Sequence, residues 1–219
     1  MPEPLPREAI VRRVAAEFQD GDYVNLGVGL PMQTPAFVAP GRRVMFHAEN
    51  GVIGFGSRPA EGQEDWDLFN AGFQPVTLQP GGVIVDSVEA FAMIRGRHLD
   101  IAVLGGMQVS EQGDLANWRR PERPVGSVGG AADIALGARR VFVAMEHVTR
   151  EGALKILRRC TYPLTAVRAI HSIFTDVAVL RVTPSGLVLQ EKAPGWTVED
   201  VQAITEARLH ISDSLKDIV

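Results

Sequence analysis

Apolar residues at Ile10, Val11, Val14, Ala15 and Phe18 alternate with charged ones at helical spacing, and Gly21 ends the run. The period then shortens. DYVNLGVG reads as a strand entering a glycine turn, and Pro31 opens a short helix through TPAFV. RRVMF is a second short strand that runs straight into HAENG. Residues 57–70 are polar and irregular, as in a surface loop. VTLQPGGVIVDSVEAFAMIRG predicts a strand, a turn and a helix from about Ser87 to Ile94. LDIAVLGGMQV is a buried strand ending in glycines, and GDLANW is its hairpin return. PVGSVGGAADIALGA is a glycine-rich loop feeding a helix, and RRVFVAMEHV is the clearest buried strand. TDVAVLRVTPSGLVLQEKA predicts a hairpin turned at Pro184–Gly186. TVEDVQAITEA opens with a threonine cap and two acids in the first turn.

Strands rich in Val, Ile and Leu that alternate with helices predict an α/β fold. Its sheet is open, mainly parallel and covered by helices, with some antiparallel pairing at an edge. The length fits a single domain over residues 1–219. At 46% hydrophobic residues, the chain has enough apolar side chain to exclude wholesale disorder. With a net charge of -4 and no long basic run, nothing favours a nucleic-acid or anionic-membrane partner, and neither is expected. The one cysteine, Cys160, has no partner for a disulfide or a zinc site. With no signal-type segment and no bilayer-length apolar run, a soluble, cytoplasmic protein is expected.

Several strands end in glycine loops, which in open α/β sheets surround one ligand crevice. Glu49 lies in such a place, followed by Asn50 and Gly51, which tolerate the angles of a sharp turn. From that stretch alone a solvated turn acid and a chemically used one both stay open. Gly129 and Gly130 precede a helix start, where free N–H groups bind anions or a developing oxyanion; small residues that only permit close packing are the alternative. Asn25, on the strand entering the first glycine turn, either bonds a carboxylate or ligand, or is satisfied by backbone. Glu146 and His147 end a strand as an acid–base pair or as a structural hydrogen bond. His47, His98, His171 and His210 lack metal-ligand spacing, so no metal is expected. Cys160 fits a small buried hydrophobe, and Trp66, Trp118 and Trp196 fit packing or interfaces.

VNLGVGLP, AENGVIGFG, NAG, FAMIRG, LGGMQVSEQGDLANW, GGAADIALGARRVFVAMEH, CTYPLT and GLVLQEKAPGWTVEDV follow one another in this order. The ordered set resembles the B (beta) subunit of family I CoA-transferases, of the succinyl-CoA:3-ketoacid type, from about Val11 to Ile211. The resemblance implies a CoA-transferase fold similar to the ribose-5-phosphate isomerase-like group. It implies that Glu49 is a covalent nucleophile and that the Gly130 N–H stabilises the oxyanion. Asn25, Asn50, Gly51 and Gly129 become the substrate- and CoA-binding residues. Coenzyme A is then a substrate, and no resident cofactor is needed. The family's other half, with its glycine-rich CoA-binding segment, is not found here, so a separate A (alpha) CoA-transferase subunit is expected in a heterodimer or heterotetramer. The implied reaction uses succinyl-CoA and acetoacetate. The alternatives are other acid pairs (3-oxoadipate, or acetate and butyrate) and a catalytically silent CoA-binding or scaffold subunit. Departures from the pattern fall at His47–Ala48 before the glutamate, at Ser57 after Gly56, and at Phe73 after NAG.

Overall fold

A computed structural model describes all 219 residues. The opening helix α1 (Arg7–Ala15) buries Ile10, Val11, Val14 and Ala15, the face its spacing predicts. Strand β1 (Tyr23–Leu26) follows, then a 3-10 helix over Leu30–Phe37 with Pro31 and Pro35 inside it. Pro35 lacks the N–H that an α-helix would use there. Next come β2 (Met45–His47), β3 (Val52–Phe55), β4 (Leu78–Ile84), α2 (Ser87–Arg95), β5 (Ile101–Leu104), β6 (Gln108–Ser110) and β7 (Leu115–Ala116). The second half holds α3 (Ala131–Gly137), β8 (Arg140–Ala144), β9 (Ile156–Leu157), β10 (Ser172–Phe174), β11 (Ala178–Thr183), β12 (Gly186–Lys192), α4 (Val198–Ala203) and β13 (Leu209–Asp217).

One ten-stranded sheet runs through the chain in the order β13-β12-β11-β10-β8-β5-β1-β2-β3-β4. Its centre, from β10 to β2, is parallel. Beyond it, β11 and β12 on one side and β3 and β4 on the other pair antiparallel, and β13 is again parallel to β12. The fold is α/β with antiparallel strands toward both edges, not one. The predicted hairpin turns between Thr183 and Gly186, and GDLANW returns as β7 against β6.

The central strands are buried on both faces, so alternate residues feed separate cores. Ala102 and Leu104 of β5 join one cluster with Ile134, Val141 and Leu180, on the side of α2, α3 and α4. Ile101 and Val103 join the other with Phe18, Val24 and Phe174, under α1.

Three elements depart from the expected pattern. The VIGF stretch, to which the sequence pattern assigns no element, is a fully buried strand, β3. A Cβ on Gly54 would strike Met45 Cε and Gly82 Cα, so the glycine permits close approach of β2 and β4. Strand β4 runs through Pro80 and Gly81 without stopping, because an edge strand can spare the proline's missing N–H. The C-terminal HISDSLKD is a long edge strand, β13. Its mostly exposed, charged positions gave no apolar signal.

Candidate active site

The parallel register sets the site. Asn25 of β1 lies beside His47 of β2, and Leu26 lies beside Val103 of β5. The carboxyl ends of these strands therefore meet at one edge of the sheet. Helix α3 runs back toward the start of β8, which brings its N-terminal residues Gly129 and Gly130 to the same edge.

Glu49 sits in the tight turn that reverses β2 into β3. Ala48 N–H donates to Val52 O at 2.9 Å, and Gly51 N–H donates to Ala48 O at 3.0 Å. Gly51 has φ of +111°, and a Cβ there would run into the Val85 carbonyl oxygen. Val85 N–H in turn donates to Gly51 O at 2.9 Å. Only glycine fits this place, and the turn it permits lifts Glu49 into the cleft.

Behind the carboxylate is a buried polar chain. Asn25 is 0% exposed and His47 1%. Asn25 Nδ2 donates toward Glu49 Oε2 at 3.3 Å and His47 O at 3.1 Å, and faces His47 Nδ1 at 3.2 Å. His47 Nε2 faces the Ala90 carbonyl oxygen of α2 at 3.2 Å. A carbonyl only accepts, so Nε2 carries the hydrogen and Nδ1 accepts from Asn25. Burial pushes the His47 pKa down against smaller opposing contributions, the largest from the Ala90 carbonyl and the next from Glu49. The neutral ring and the tautomer agree. Asn25 Oδ1 is buried with no partner. Such an atom costs about 1–3 kcal/mol. Turning the amide over would aim that oxygen at three acceptors, one of them the Glu49 carboxylate.

Glu49 opens into a cleft of about 530 Å³ that also contains Gly27, Gly105, Asn117, Gly129 and Gly130, with Val28, Leu104, Val128 and Ile134 as apolar walls. The Gly130 N–H has no acceptor in the protein. A larger groove of about 710 Å³ lies beside the 3-10 helix, among Arg42, Phe55 and Arg58. It does not include Glu49, and its one carboxylate, Glu8, is tied to Arg12 at 2.6 Å. The smaller cleft is where a free carboxylate and a free donor share one space.

Comparison with known proteins follows the same lines. A coenzyme A transferase family profile matches residues 7–203. The chain belongs to the coenzyme A transferase family. It is 48% identical to the B subunit of a 3-oxoadipate CoA-transferase of Pseudomonas putida, over 92% of this chain and 94% of that protein. It is 45% identical to the B subunit of a probable succinyl-CoA:3-ketoacid coenzyme A transferase of Bacillus subtilis, over 95% of this chain and 97% of that one. In fold it matches an acyl-CoA transferase apoenzyme from Escherichia coli O157:H7 with a TM-score of 0.79 at 20% identity. All of this chain superposes there, spanning 44% of the larger one.

In this coenzyme A transferase chain the structure brings Glu49, Gly129 and Gly130 into one cleft and puts Asn25 directly behind Glu49. Asn50 and Gly51 do not line it. Asn50 Nδ2 donates to Phe69 O at 2.8 Å and ties the turn to the neighbouring loop, while Gly51 shapes the backbone. Phe73 stacks on Phe69 with ring centroids 5.8 Å apart and lies outside the cleft. Two polar residues of the site were not singled out as site residues from sequence. From sequence, His47 reads only as a histidine without metal-ligand spacing and as a departure from a pattern; its alignment with Asn25 across β1 and β2 is the available signal. Asn117 donates to Gly105 O at 3.1 Å and bonds Thr165, which holds the cleft floor.

Glu146 and His147 resolve as structural. His147 is buried between Thr175 Oγ1 and Thr205 Oγ1, both at 2.9 Å, and burial lowers its pKa to about 3. Glu146 pairs with Arg7 at 2.9 Å. Burial raises the Cys160 thiol to about 12, so it is a poor nucleophile. Trp196 is buried and donates to Glu3 O, Trp118 donates to Leu164 O, and Trp66 is 71% exposed. No helix is long and apolar enough to cross a membrane.

Proposed function

We propose that this chain supplies the nucleophile of a CoA-transferase that moves CoA between an acyl-CoA and a carboxylic acid through a thioester on Glu49. The observation that carries this is Glu49, held by Asn25, in the cleft that also exposes the unpartnered N–H of Gly130.

The Glu49 carboxylate attacks the thioester carbonyl and expels CoA thiolate, giving a mixed anhydride. The thiolate then attacks the glutamyl carbonyl, which releases the first acid and leaves a glutamyl-CoA thioester. A second carboxylate attacks that thioester and again expels thiolate. The thiolate attacks the new acyl carbonyl, a new acyl-CoA departs, and Glu49 is a carboxylate again. No proton is gained or lost, so no general base is needed. Asn25 fixes Oε2 and leaves Oε1 to attack. The Gly130 N–H faces the oxyanion that each addition builds. Donors of this kind contribute roughly 10²–10³ in rate.

Anhydride and thioester both hydrolyse in water, so the cleft must close. Val28 and Val128 on its rim are 68% and 43% exposed. A partner seated on that rim would dry the site. The Pseudomonas putida and Bacillus subtilis relatives are each a B subunit, and this chain is assigned the same place beside a separate alpha subunit. Relatives named for 3-oxoadipate and for a 3-ketoacid are about equally similar. Both acids are 3-oxo carboxylates, and a 3-oxo acid with succinyl-CoA as donor is the substrate pair assigned. Acetoacetate is the first candidate and 3-oxoadipate the second.

The test is transfer from succinyl-CoA by the complex with its alpha subunit, over a panel of acetoacetate, 3-oxoadipate, acetate and butyrate. Transfer to the two 3-oxo acids, lost in Glu49→Ala with assembly intact, is expected. Transfer preserved in Glu49→Ala would remove the nucleophile, and preference for acetate would remove the acid class.

A further inference from the structure

Next to the Glu49 cleft is a second trough of about 480 Å³, lined by Trp118, Arg119, Arg120, Arg123 and Gly126. It shares Met107 and Ser127 with the cleft, so the two are continuous. One loop builds it. Ser127 N–H donates to Trp118 O at 3.0 Å and closes the loop at its base, and Arg123 N–H donates to Arg120 O at 3.0 Å within it. Pro121 and Pro124 stiffen the turn. Gly126 lies against Trp118 and Arg119 so closely that a Cβ would strike both. The closure that shapes the trough also sets Ser127, and with it the approach to Gly129 and Gly130.

The charge in this loop is unmatched. Arg119, Arg120 and Arg123 make no side-chain hydrogen bond or ion pair, and the one acid outside the loop that feels Arg120, Glu151, is not bonded to it. Arg119 Nε is buried without an acceptor. The loop holds a single acid, Glu122, in a chain whose net charge is -4, so the local excess of cation does not follow from overall composition. Guanidinium groups are always charged and match phosphate oxygens two at a time.

We propose that this trough binds the phosphates of the CoA thioester while its acyl end reacts at Glu49. The proposal rests on the transferase reading of the Glu49 cleft. It places part of CoA recognition on this chain. A distal carboxylate of the acid substrate is the weaker occupant, because its single charge needs one guanidinium, not three. The nucleotide end of CoA carries a pyrophosphate and a ribose phosphate, which matches a trough with several free guanidinium groups. The thioester is reached along the cleft that Met107 and Ser127 join to it.

The experiment uses the double variant Arg120→Ala/Arg123→Ala in the complex with its alpha subunit. Both side chains are exposed and unpartnered, so the fold does not depend on them. Succinyl-CoA is compared with succinyl-pantetheine, which lacks the nucleotide. Binding of desulfo-CoA, which has the phosphates but no thiol, is titrated without turnover. The KM for succinyl-CoA and the Kd for desulfo-CoA are expected to rise about tenfold, the sum of two exposed charge-assisted contacts. The KM for succinyl-pantetheine stays put. An unchanged desulfo-CoA affinity, or an equal rise for both donors, would overturn the proposal. A rise confined to the KM of the acid would assign the trough to a carboxylate instead. If desulfo-CoA binds as described but the unmutated complex transfers CoA from no donor, the transferase reading fails and the phosphate trough stands.

Discussion

Asn25→Ala separates what the buried asparagine does for stability from what it does for Glu49. The substitution deletes three contacts of Nδ2, to Glu49 Oε2 at 3.3 Å, His47 Nδ1 at 3.2 Å and His47 O at 3.1 Å. All are long, so together they contribute roughly 2–4 kcal/mol. The same substitution deletes Oδ1, whose lack of a partner costs about 1–3 kcal/mol. These largely offset, and a net loss near 1 kcal/mol would lower the Tm by about 2–4 °C. The effect on chemistry does not cancel. Without Nδ2 the Glu49 carboxylate is no longer held in place, and a misplaced nucleophile should slow acylation of Glu49 by up to about 100-fold. The assay pairs a thermal melt of the complex with single-turnover CoA transfer. A melt lowered by more than about 10 °C with the rate held would make Asn25 a fold element. It would also refute the account of its orphan oxygen.

Gly51→Ala puts a Cβ against the Val85 carbonyl oxygen at a φ of +111°; a loss of at least about 2 kcal/mol in urea unfolding and inactive enzyme are expected, and unchanged stability would contradict the turn geometry. His147 has a folded pKa of about 3, below its ordinary 6.5. The unfolded chain therefore binds the extra proton first, and stability is full above 6.5 and falls as the pH drops toward 3. The slope is about 1.4 kcal/mol per pH unit for each such histidine. His47 and His171, both also lowered by burial, add in the same direction. Urea unfolding at neutral and mildly acid pH reads the slope, His147→Gln should flatten it, and an unaltered slope in that variant would exclude His147 as its source. Phe73 has φ of +59° on an exposed loop; Phe73→Gly relieves that backbone, so the Tm should hold or rise slightly despite the lost stacking on Phe69, and a drop of several degrees would show that the Phe69–Phe73 pair anchors the loop.

The parts of the fold legible in the sequence are those whose burial leaves a periodic trace. Helix α1, with Ile10, Val11 and Val14 on one face, was readable, as were the doubly buried β5 and β8 and the Thr197 cap of α4. Strand β3 was hidden because Gly54, needed for close strand approach, reads as a turn residue. Only the length of β4 was hidden, because Pro80 is tolerated at a sheet edge, and β13 was hidden because exposed residues such as His210, Asp213 and Lys216 carry no pattern. In the site, Glu49 and Gly130 were named from an ordered set of motifs, and the cleft contains both. The role of His47 was not legible. It comes from the register of β1 with β2 and from a carbonyl on α2, contacts between residues far apart in the chain. The arginine trough was equally silent, since WRRPERP looks like any solvated loop until its closure on Ser127 is seen.

The central claim is a covalent bond at Glu49, and one measurement reaches it directly. The complex with its alpha subunit is mixed with succinyl-CoA in the absence of acceptor acid, treated with borohydride, digested and read by mass spectrometry. A glutamyl-CoA thioester predicts reduction of one side chain from carboxyl level to alcohol, on the peptide carrying Glu49 and nowhere else in either polypeptide. An unmodified Glu49 peptide alongside active CoA transfer, or reduction at another residue, would contradict it.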